Sequence, residues 1–331
     1  MAASIERDFA AFVERRAAEG KTRGPLGPAI ALLGLPDDTG IALNHGRAGA
    51  ASGPTAFRAA LARYGTDYDT QRRAALEVPI VDAGDIVPAA GASEGALLET
   101  HERVARAVRA LHEHGLLPVC VGGGHDLTLP AVRGLAEAAP AAVMLGGINV
   151  DAHLDVRVEI GSGMPFRRLI EDGFVDPHRF VTFGAARFVH RADHVAWLEG
   201  VGGTLIDVET VQREPAAVER AFEVALGAET AAAGAAEMGG PPAIFVSIDL
   251  DALDGAHAPG VSAVNPAGLD VPAVTRIAER AGAEPHVRHF DLMELSPPHD
   301  VDGCTARVAA LLFLHFLAGV AGRGPTVGRD G

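Results

Sequence analysis

Cysteine is scarce: Cys120 and Cys304 are the two thiols in 331 residues. That excludes a disulfide scaffold and a Cys-rich zinc site. Cys120 lies in an apolar run and Cys304 beside a predicted helix start. Both read as buried free thiols, and the chain as one suited to a reducing, cytoplasmic compartment. Positive charge is also short. There are 28 Lys and Arg against 43 Asp and Glu, a net charge of −15, which argues against a nucleic-acid backbone as partner. Apolar runs are short or interrupted. The most apolar stretch, Val308 to Gly322, contains His315, is too short to span a bilayer and reads as a buried helix. The N-terminus, Met1 to Asp8, lacks the basic-then-apolar order of a secretory signal. The expectation is a cytoplasmic protein that engages neither nucleic acid nor membrane.

What the chain does have is 48% hydrophobic residues, enough for a large core, and three polar clusters placed after apolar runs. Ala141 to Leu145 leads into Asn149-Val150-Asp151-Ala152-His153-Leu154-Asp155. In extended backbone alternate side chains share a face, so Asp151, His153 and Asp155 converge. Ala243 to Val246 leads into Ser247-Ile248-Asp249-Leu250-Asp251, which repeats the pattern with Asp249 and Asp251. Leu117 to Val121 runs into Gly122-Gly123-Gly124-His125-Asp126, where the glycines allow a tight turn that brings His125 to the same edge. Carboxylates packed so closely repel one another and are costly to desolvate. Divalent cations remove both penalties, and two of them balance four carboxylates. Carboxylates with a few imidazoles suit manganese better than zinc or magnesium. The alternative is a set of polar loops in which Asp151 merely caps a turn; three convergent clusters weigh against it.

Along the chain, helices are predicted over Ser4–Glu19, Pro54–Tyr64, Glu94–His114, from Asp126 (as its cap) to Ala136, and over Phe166–Glu171 and Ala192–Leu198. Others follow from Pro215, over Val271–Gly282 and over Thr305–Gly319. Ala231 to Gly240 reads as a helix end with a flexible loop, and Gly324 to Gly331 as a disordered tail. About eight apolar strands alternate with these helices. Strands without two-residue alternation indicate a parallel sheet covered on both faces. With no dividing linker and no internal repeat, residues 1–331 read as one domain, its first 25 residues an N-terminal helix region. In such sheets, sites form beyond the carboxyl ends of the strands, where His125, Asp151, Asp249 and Glu294 lie.

These residues resemble the ureohydrolase family: arginase, agmatinase, formimidoylglutamase and relatives. The resemblance runs from about Asn44 to Val320. It is carried by the three clusters above, by Ala258-Pro259-Gly260, by Met293-Glu294 and by Thr305-Ala306-Arg307. It implies a three-layer α/β/α sandwich on an eight-stranded, mostly parallel sheet, with two Mn2+ per chain and a homo-oligomer. By position, His125, Asp151, Asp155 and Asp249 would hold one metal. Asp151, His153, Asp249 and Asp251 would hold the other, with Asp151 and Asp249 bridging.

Within the family the local pattern is most similar to formimidoylglutamase. Asp155 is followed by Val156-Arg157, and Ser162-Gly163-Met164-Pro165-Phe166 has Ser162 where arginases and agmatinases carry a His. Met164 stands where a Thr is frequent. The implied reaction, a step of histidine degradation, is hydrolysis of N-formimidoyl-L-glutamate to L-glutamate and formamide. Asp155 would hold the nucleophilic water and shuttle its proton, and Glu294 would accept hydrogen bonds from the formimino nitrogens. Arg157, Arg187 and Ser162 are the candidate substrate-binding residues, for a small amidine or guanidine bearing a carboxylate. The competing readings are an agmatinase, arginase or guanidino-acid hydrolase, a one-zinc amide hydrolase of similar fold, and a metal-binding protein without catalysis. His286, His289 and His299 lack ligand spacing and are assigned structural roles. Asp300 and Asp302 are assigned to a solvated loop, Arg47 to bracing, and Asp254 to positioning the metal loop.

Overall fold

The computed structural model describes residues 5–18, 29–64, 68–139, 144–227 and 243–323. In chain order the strands are β1 (Ile5–Glu6), β2 (Ala29–Leu35), β3 (Tyr68–Asp69), β4 (Ala74–Ala75), β5 (Ile80–Asp85), β6 (Leu116–Gly122), β7 (Leu145–Val150), β8 (Val175–Ala185), β9 (Thr204–Asp207), β10 (Ile244–Asp249) and β11 (Val287–Met293). β3 and β4 pair with each other as a small antiparallel ribbon. The other nine form one sheet in the order β1-β5-β2-β6-β11-β10-β7-β8-β9. Every pairing in it is parallel.

The helices are α1 (Phe9–Ala18), α2 (Thr39–Leu43), α3 (Gly53–Arg63), α4 (Glu94–Glu113), α5 (Thr128–Ala138), α6 (Pro165–Glu171), α7 (Ala192–Val201), α8 (Val208–Arg213), α9 (Ala217–Leu226), α10 (Val271–Ala283) and α11 (Cys304–Ala321). They cover both faces of the sheet. Ile30 and Leu32 of β2 and Val119 and Val121 of β6 meet Phe57 of α3 and Phe313 and Phe316 of α11. The intervening residues Ala31, Leu33 and Cys120 meet Phe12 of α1, Val104 and Val108 of α4 and Ala131 of α5. Alternate side chains thus enter opposite cores, both apolar, so these strands read as continuous hydrophobic runs. The result is the expected three-layer α/β/α sandwich.

Several local expectations need correction. The sheet has nine strands rather than eight, because Ile5–Glu6 joins its edge beside β5 where a helix was expected. The N-terminal helix begins only at Phe9, after Asp8, whose carboxylate accepts the Ala11 N–H at 3.0 Å. Asp126 does not cap α5. One turn of 3-10 helix intervenes over His125–Leu127, and Asp126 instead meets the buried His101 Nε2 at 2.8 Å. Asp300 is not simply solvated: its two oxygens accept the Thr305 and Ala306 N–H groups at the start of α11. The stretch Ala231 to Gly240, the tail from Gly324 and residues Ala141 to Val143 of the run before β7 lie outside the described residues. By length and composition α11 would suffice to cross a membrane, but 61% of it is buried inside the fold. It packs against α3 and α10 as a core helix.

The α10–α11 contact depends on two small residues. A Cβ on Gly319 would lie 2.1 Å from Glu279 O, and one on Gly282 would lie 2.0 Å from Phe316 O. Both neighbours are backbone atoms, so relief requires moving a helix. Gly319→Ala is therefore expected to destabilise the protein by about 1–3 kcal/mol despite alanine's better helix propensity. Urea unfolding should show a lower midpoint at an unchanged m-value. Wild-type stability in this variant would mean that the two helices separate freely.

Candidate metal centre

Four adjacent strands, β6, β11, β10 and β7, end at one place. Their register sets Val121, Leu292, Ile248 and Val150 in a single row. Just beyond that row come Asp249, Asp151 and Glu294. His125 arrives through the glycine turn after β6. At Gly123 a Cβ would sit 1.6 Å from the Asp37 carbonyl oxygen, so no other residue lets the chain pass that close. The Gly123 carbonyl then accepts the Glu294 N–H at 2.9 Å, which ties the turn to the end of β11.

The side chains form two adjoining donor groups. His125, Asp151, Asp155 and Asp249 make one, and Asp151, His153 and Asp251 the other, with Asp151 common to both. His125 Nδ1 lies 3.3 Å from Asp151 Oδ2, 3.0 Å from Asp155 Oδ2 and 3.2 Å from Asp249 Oδ2. His153 Nδ1 lies 3.4 Å from Asp151 Oδ1 and 3.3 Å from Asp251 Oδ2. All six residues expected at the centre are therefore together. Asp249 falls in the first group only, and its Oδ1 accepts the Asp251 N–H at 2.8 Å. Asp151 Oδ1 accepts the His153 N–H in the same way, at 2.7 Å.

The buried His125 Nδ1 and Asp251 Oδ1 make no aligned hydrogen bond. A nitrogen close to three carboxylate oxygens yet aligned with none is arranged as though to share a cation. Oxygen donors with one imidazole per group and no thiolate fit a pair of hard or borderline divalent ions.

The charges of this centre are strongly coupled. Burial, reinforced by Asp251 and Asp151, pushes Asp249 well above the usual carboxylate range. Burial raises Asp251 to about 6, and burial with the Asp151 charge also raises Asp155. Against its burial, His125 and His153 hold Asp151 far below the ordinary carboxylate value. The imidazoles are raised in turn: His153 chiefly by Asp251, and His125, against its burial, by its three carboxylate neighbours. Without cations, protons perform the neutralisation.

Glu294 completes the floor. It is 2% exposed, its Oε1 accepts the His125 N–H at 3.0 Å, and the Ser262 hydroxyl faces the carboxylate without an aligned hydrogen bond to Oε2. Burial pushes its carboxyl up to about 8. Asp155 and Glu294 both adopt left-handed backbone, with φ of 50° and 68°. Strain of this kind costs on the order of 1–3 kcal/mol and persists where the surroundings over-determine it, commonly at functional sites.

The remaining candidates surround this floor. Arg157 is exposed. Its N–H donates to Gly163 O at 2.8 Å, and a Cβ on Gly163 would lie 2.9 Å from the Arg157 side chain. Among the described residues no ion pair involves Arg157, including with its near neighbour Glu159. Ser162 is held by Asn44, whose side-chain amide lies 3.0 Å from its Oγ. Turned about, that amide accepts the Ser162 and Gly163 N–H groups as well. Phe166 packs edge-on against the His125 ring, 5.3 Å between centroids. Arg187 lines a cavity of about 430 Å³ with His190, Asp207, Glu209 and Arg213, and its nearest carboxylate, Glu209, is 4.0 Å away. The loop carrying Arg187 is tied to the ligand segment by the Ala186 N–H donating to Ala152 O at 2.9 Å.

Arg47 braces as expected, donating to Val261 O and Ser262 O at 2.6 and 3.0 Å. Thr305 holds the Gly260 N–H at 2.8 Å, which explains two of the sequence motifs at once. Asn44 and His190 were not found from sequence. Asn44 lay in a glycine-spaced loop read only as a loop, and His190 stands alone with no ligand spacing. His190 Nε2 is buried without a partner.

If protons occupy the cluster when cations do not, cation binding must release them. Asp249, Asp251 and Asp155 are raised and so hold protons to higher pH, as do His125 and His153. Affinity for Mn2+ should therefore fall as pH is lowered, from the alkaline side where the raised imidazoles take up protons down through about 6, where Asp251 does. Mn2+ titrations at several pH values, with proton release read from the buffer dependence of the binding heat, test this. Affinity independent of pH would contradict it. Asp151→Asn should weaken both ions together, because one oxygen of Asp151 faces each group.

Comparison with known proteins agrees with this arrangement. The sequence profile of the Arginase family matches residues 28–319. The chain is similar to a formimidoylglutamase of Aromatoleum aromaticum, with 35% identity over 89% of this chain and 84% of that one. It is similar also to a formimidoylglutamase of Ralstonia nicotianae, with 34% identity over 92% and 89%. A crystal structure of Trypanosoma cruzi formiminoglutamase with Mn2+ superposes with a TM-score of 0.77 and 33% identity, covering 89% of this chain and 94% of that one. On its sequence, its sheet and its strand-end cluster, the chain belongs to the arginase family.

Proposed function

We propose that the chain is a single-domain hydrolase that uses two Mn2+ to convert N-formimidoyl-L-glutamate and water to L-glutamate and formamide. The observation that carries this reading is the pair of donor groups fused through Asp151, with the buried Glu294 carboxylate tied to the His125 N–H beside them. The nearness of the chain to formimidoylglutamases supports the choice of substrate. His125, Asp151, Asp155 and Asp249 hold one ion; His153, Asp251 and Asp151 hold the other, with Asp249 able to reach it if its Oδ1 turns from the Asp251 N–H.

When bound, two divalent ions would supply Lewis acidity and make water nucleophilic near neutral pH. The residues do the rest. Asp155 orients that water, takes its proton and passes it to the departing glutamate nitrogen as the C–N bond breaks. That transfer matters because an unprotonated amine is expelled poorly, and Ser162 cannot titrate in this range. Glu294 Oε2 accepts from the formimino N–H. A cationic formimino group set against it favours the ionised carboxylate and so offsets the burial that raises it. Arg157 presents two parallel N–H donors to a substrate carboxylate. Arg187, on the loop tied to Ala152, would serve a second one.

Formamide release from N-formimidoyl-L-glutamate by Mn2+-loaded protein, set beside urea release from agmatine and arginine, tests the assignment. A preference for agmatine or arginine would leave only the family standing. Arg157→Ala should lose roughly ten- to a hundredfold in kcat/KM, the worth of a charge-assisted hydrogen bond of about 1.5–3 kcal/mol, and should keep its metal. Arg157→Lys should recover part, since a point charge cannot reproduce the fork. Wild-type kcat/KM in Arg157→Ala would transfer the role to Arg187.

A further inference from the structure

Behind His125 runs a buried polar chain that contains no metal ligand. Ser247 and Asp291 are register partners on β10 and β11. Both are wholly buried, as are Thr128 and His289 beside them. The Asp291 carboxylate accepts on both oxygens: from Ser247 Oγ at 2.5 Å on Oδ1, and from Thr128 Oγ1 and His289 Nε2, each at 3.0 Å, on Oδ2. On the other side of Ser247, His125 Nε2 lies 2.9 Å from the same Oγ.

The proton count fixes the direction of this chain. A serine hydroxyl has one proton to give. The Asp291 oxygens accept from Ser247 and Thr128, so the short Ser247–Asp291 contact takes the serine proton. Toward His125, Ser247 can then only accept. His125 must donate from Nε2, and its Nδ1 is left facing Asp151, Asp155 and Asp249. Thr128 Oγ1, 3.2 Å from Ser247 Oγ, does not reverse this, because its own proton goes to Asp291.

We infer that Asp291 is a positioning residue which, acting through Ser247, holds His125 in its Nε2–H form and so presents Nδ1 as a donor to a divalent cation. The inference rests on the metal-pair reading proposed above. Carboxylates usually orient a metal-bound imidazole by direct contact; in this chain a buried hydroxyl stands between them. The intermediate serine lets the charge sit deep in the sheet, away from the acidic cluster, and still set the ligand's polarity.

The test is Mn2+ binding rather than turnover, measured by equilibrium dialysis with metal analysis on wild type, Ser247→Ala, Asp291→Asn, Asp291→Leu and the double variant Ser247→Ala/Asp291→Leu. The wild type should hold two ions. Ser247→Ala and Asp291→Leu should each weaken one ion by roughly ten- to a hundredfold and spare the ion held through His153. Asp291→Asn keeps an acceptor oxygen without the charge and should fall between wild type and Asp291→Leu. The double variant should bind no worse than Ser247→Ala alone, because both changes break one chain. Should Asp291→Leu not fold, Ser247→Ala and Asp291→Asn carry the same comparison. Equal weakening of both ions, additive losses in the double variant, or unchanged binding in Ser247→Ala would each overturn the inference while leaving the metal pair in place. A wild type that never holds a second ion would overturn the metal reading itself, and the inference with it.

Discussion

Five carboxylates, those of Asp151, Asp155, Asp249, Asp251 and Glu294, crowd the ends of adjacent strands, and their mutual repulsion is the constraint to which the rest of the structure answers. All are buried or nearly so. Even after relaxation, an unpaired charge in a protein interior costs several kcal/mol. Two imidazoles and shared protons relieve part of that cost, and divalent cations relieve it more completely. The sheet supplies the rigidity this demands. Nine parallel strands between two helix layers leave little freedom for the ends of β6, β7, β10 and β11 to splay apart, and the left-handed backbone at Asp155 and Glu294 is held by the same packing.

Much of this was legible in the sequence because its period is short. Asp151, His153 and Asp155, and likewise Asp249 and Asp251, are spaced by two residues, the period of extended backbone, so their convergence follows from local geometry. The strands and long helices were found for the same reason. What escaped depends on register or on distant partners. Asp291 was passed over because its tie to Ser247 exists only when β10 and β11 align, and no spacing along the chain records that alignment. Asp126 has the form of a helix cap, yet a buried histidine 25 positions earlier claims it. β1 is two residues long, too short for any periodicity to appear.

The mouth of the site obeys a different rule from its floor. The floor is set by strands, the mouth by loops fastened to one another. Asn44 holds the Ser162–Gly163 turn, that turn holds Arg157, Arg47 holds the Val261–Ser262 loop, and Thr305 holds Gly260. Most of these fastenings end on backbone, so hydrogen bonds help fix the loops' relative positions. Loops tied in this way can carry selectivity while the metal-holding strands stay unchanged.

The electrostatic gradient follows from this division. On the proposed function, the acidic floor would lie beneath a rim that carries Arg157 and Arg187, both exposed, with Arg187 4.0 Å from Glu209. A molecule with a cationic amidine at one end and carboxylates at the other meets opposite fields at its two ends and can satisfy both in only one orientation. Agmatine, cationic at both ends, would set its amine against the arginines. That is a penalty built into the rim, and like-charge contact of this kind discriminates by repelling the wrong substrate as well as by holding the right one. On the proposed function, the overall charge of −15 does not select the substrate. On that reading, selection would rest on Arg157 and Arg187 meeting a dianionic tail while its amidine meets Glu294.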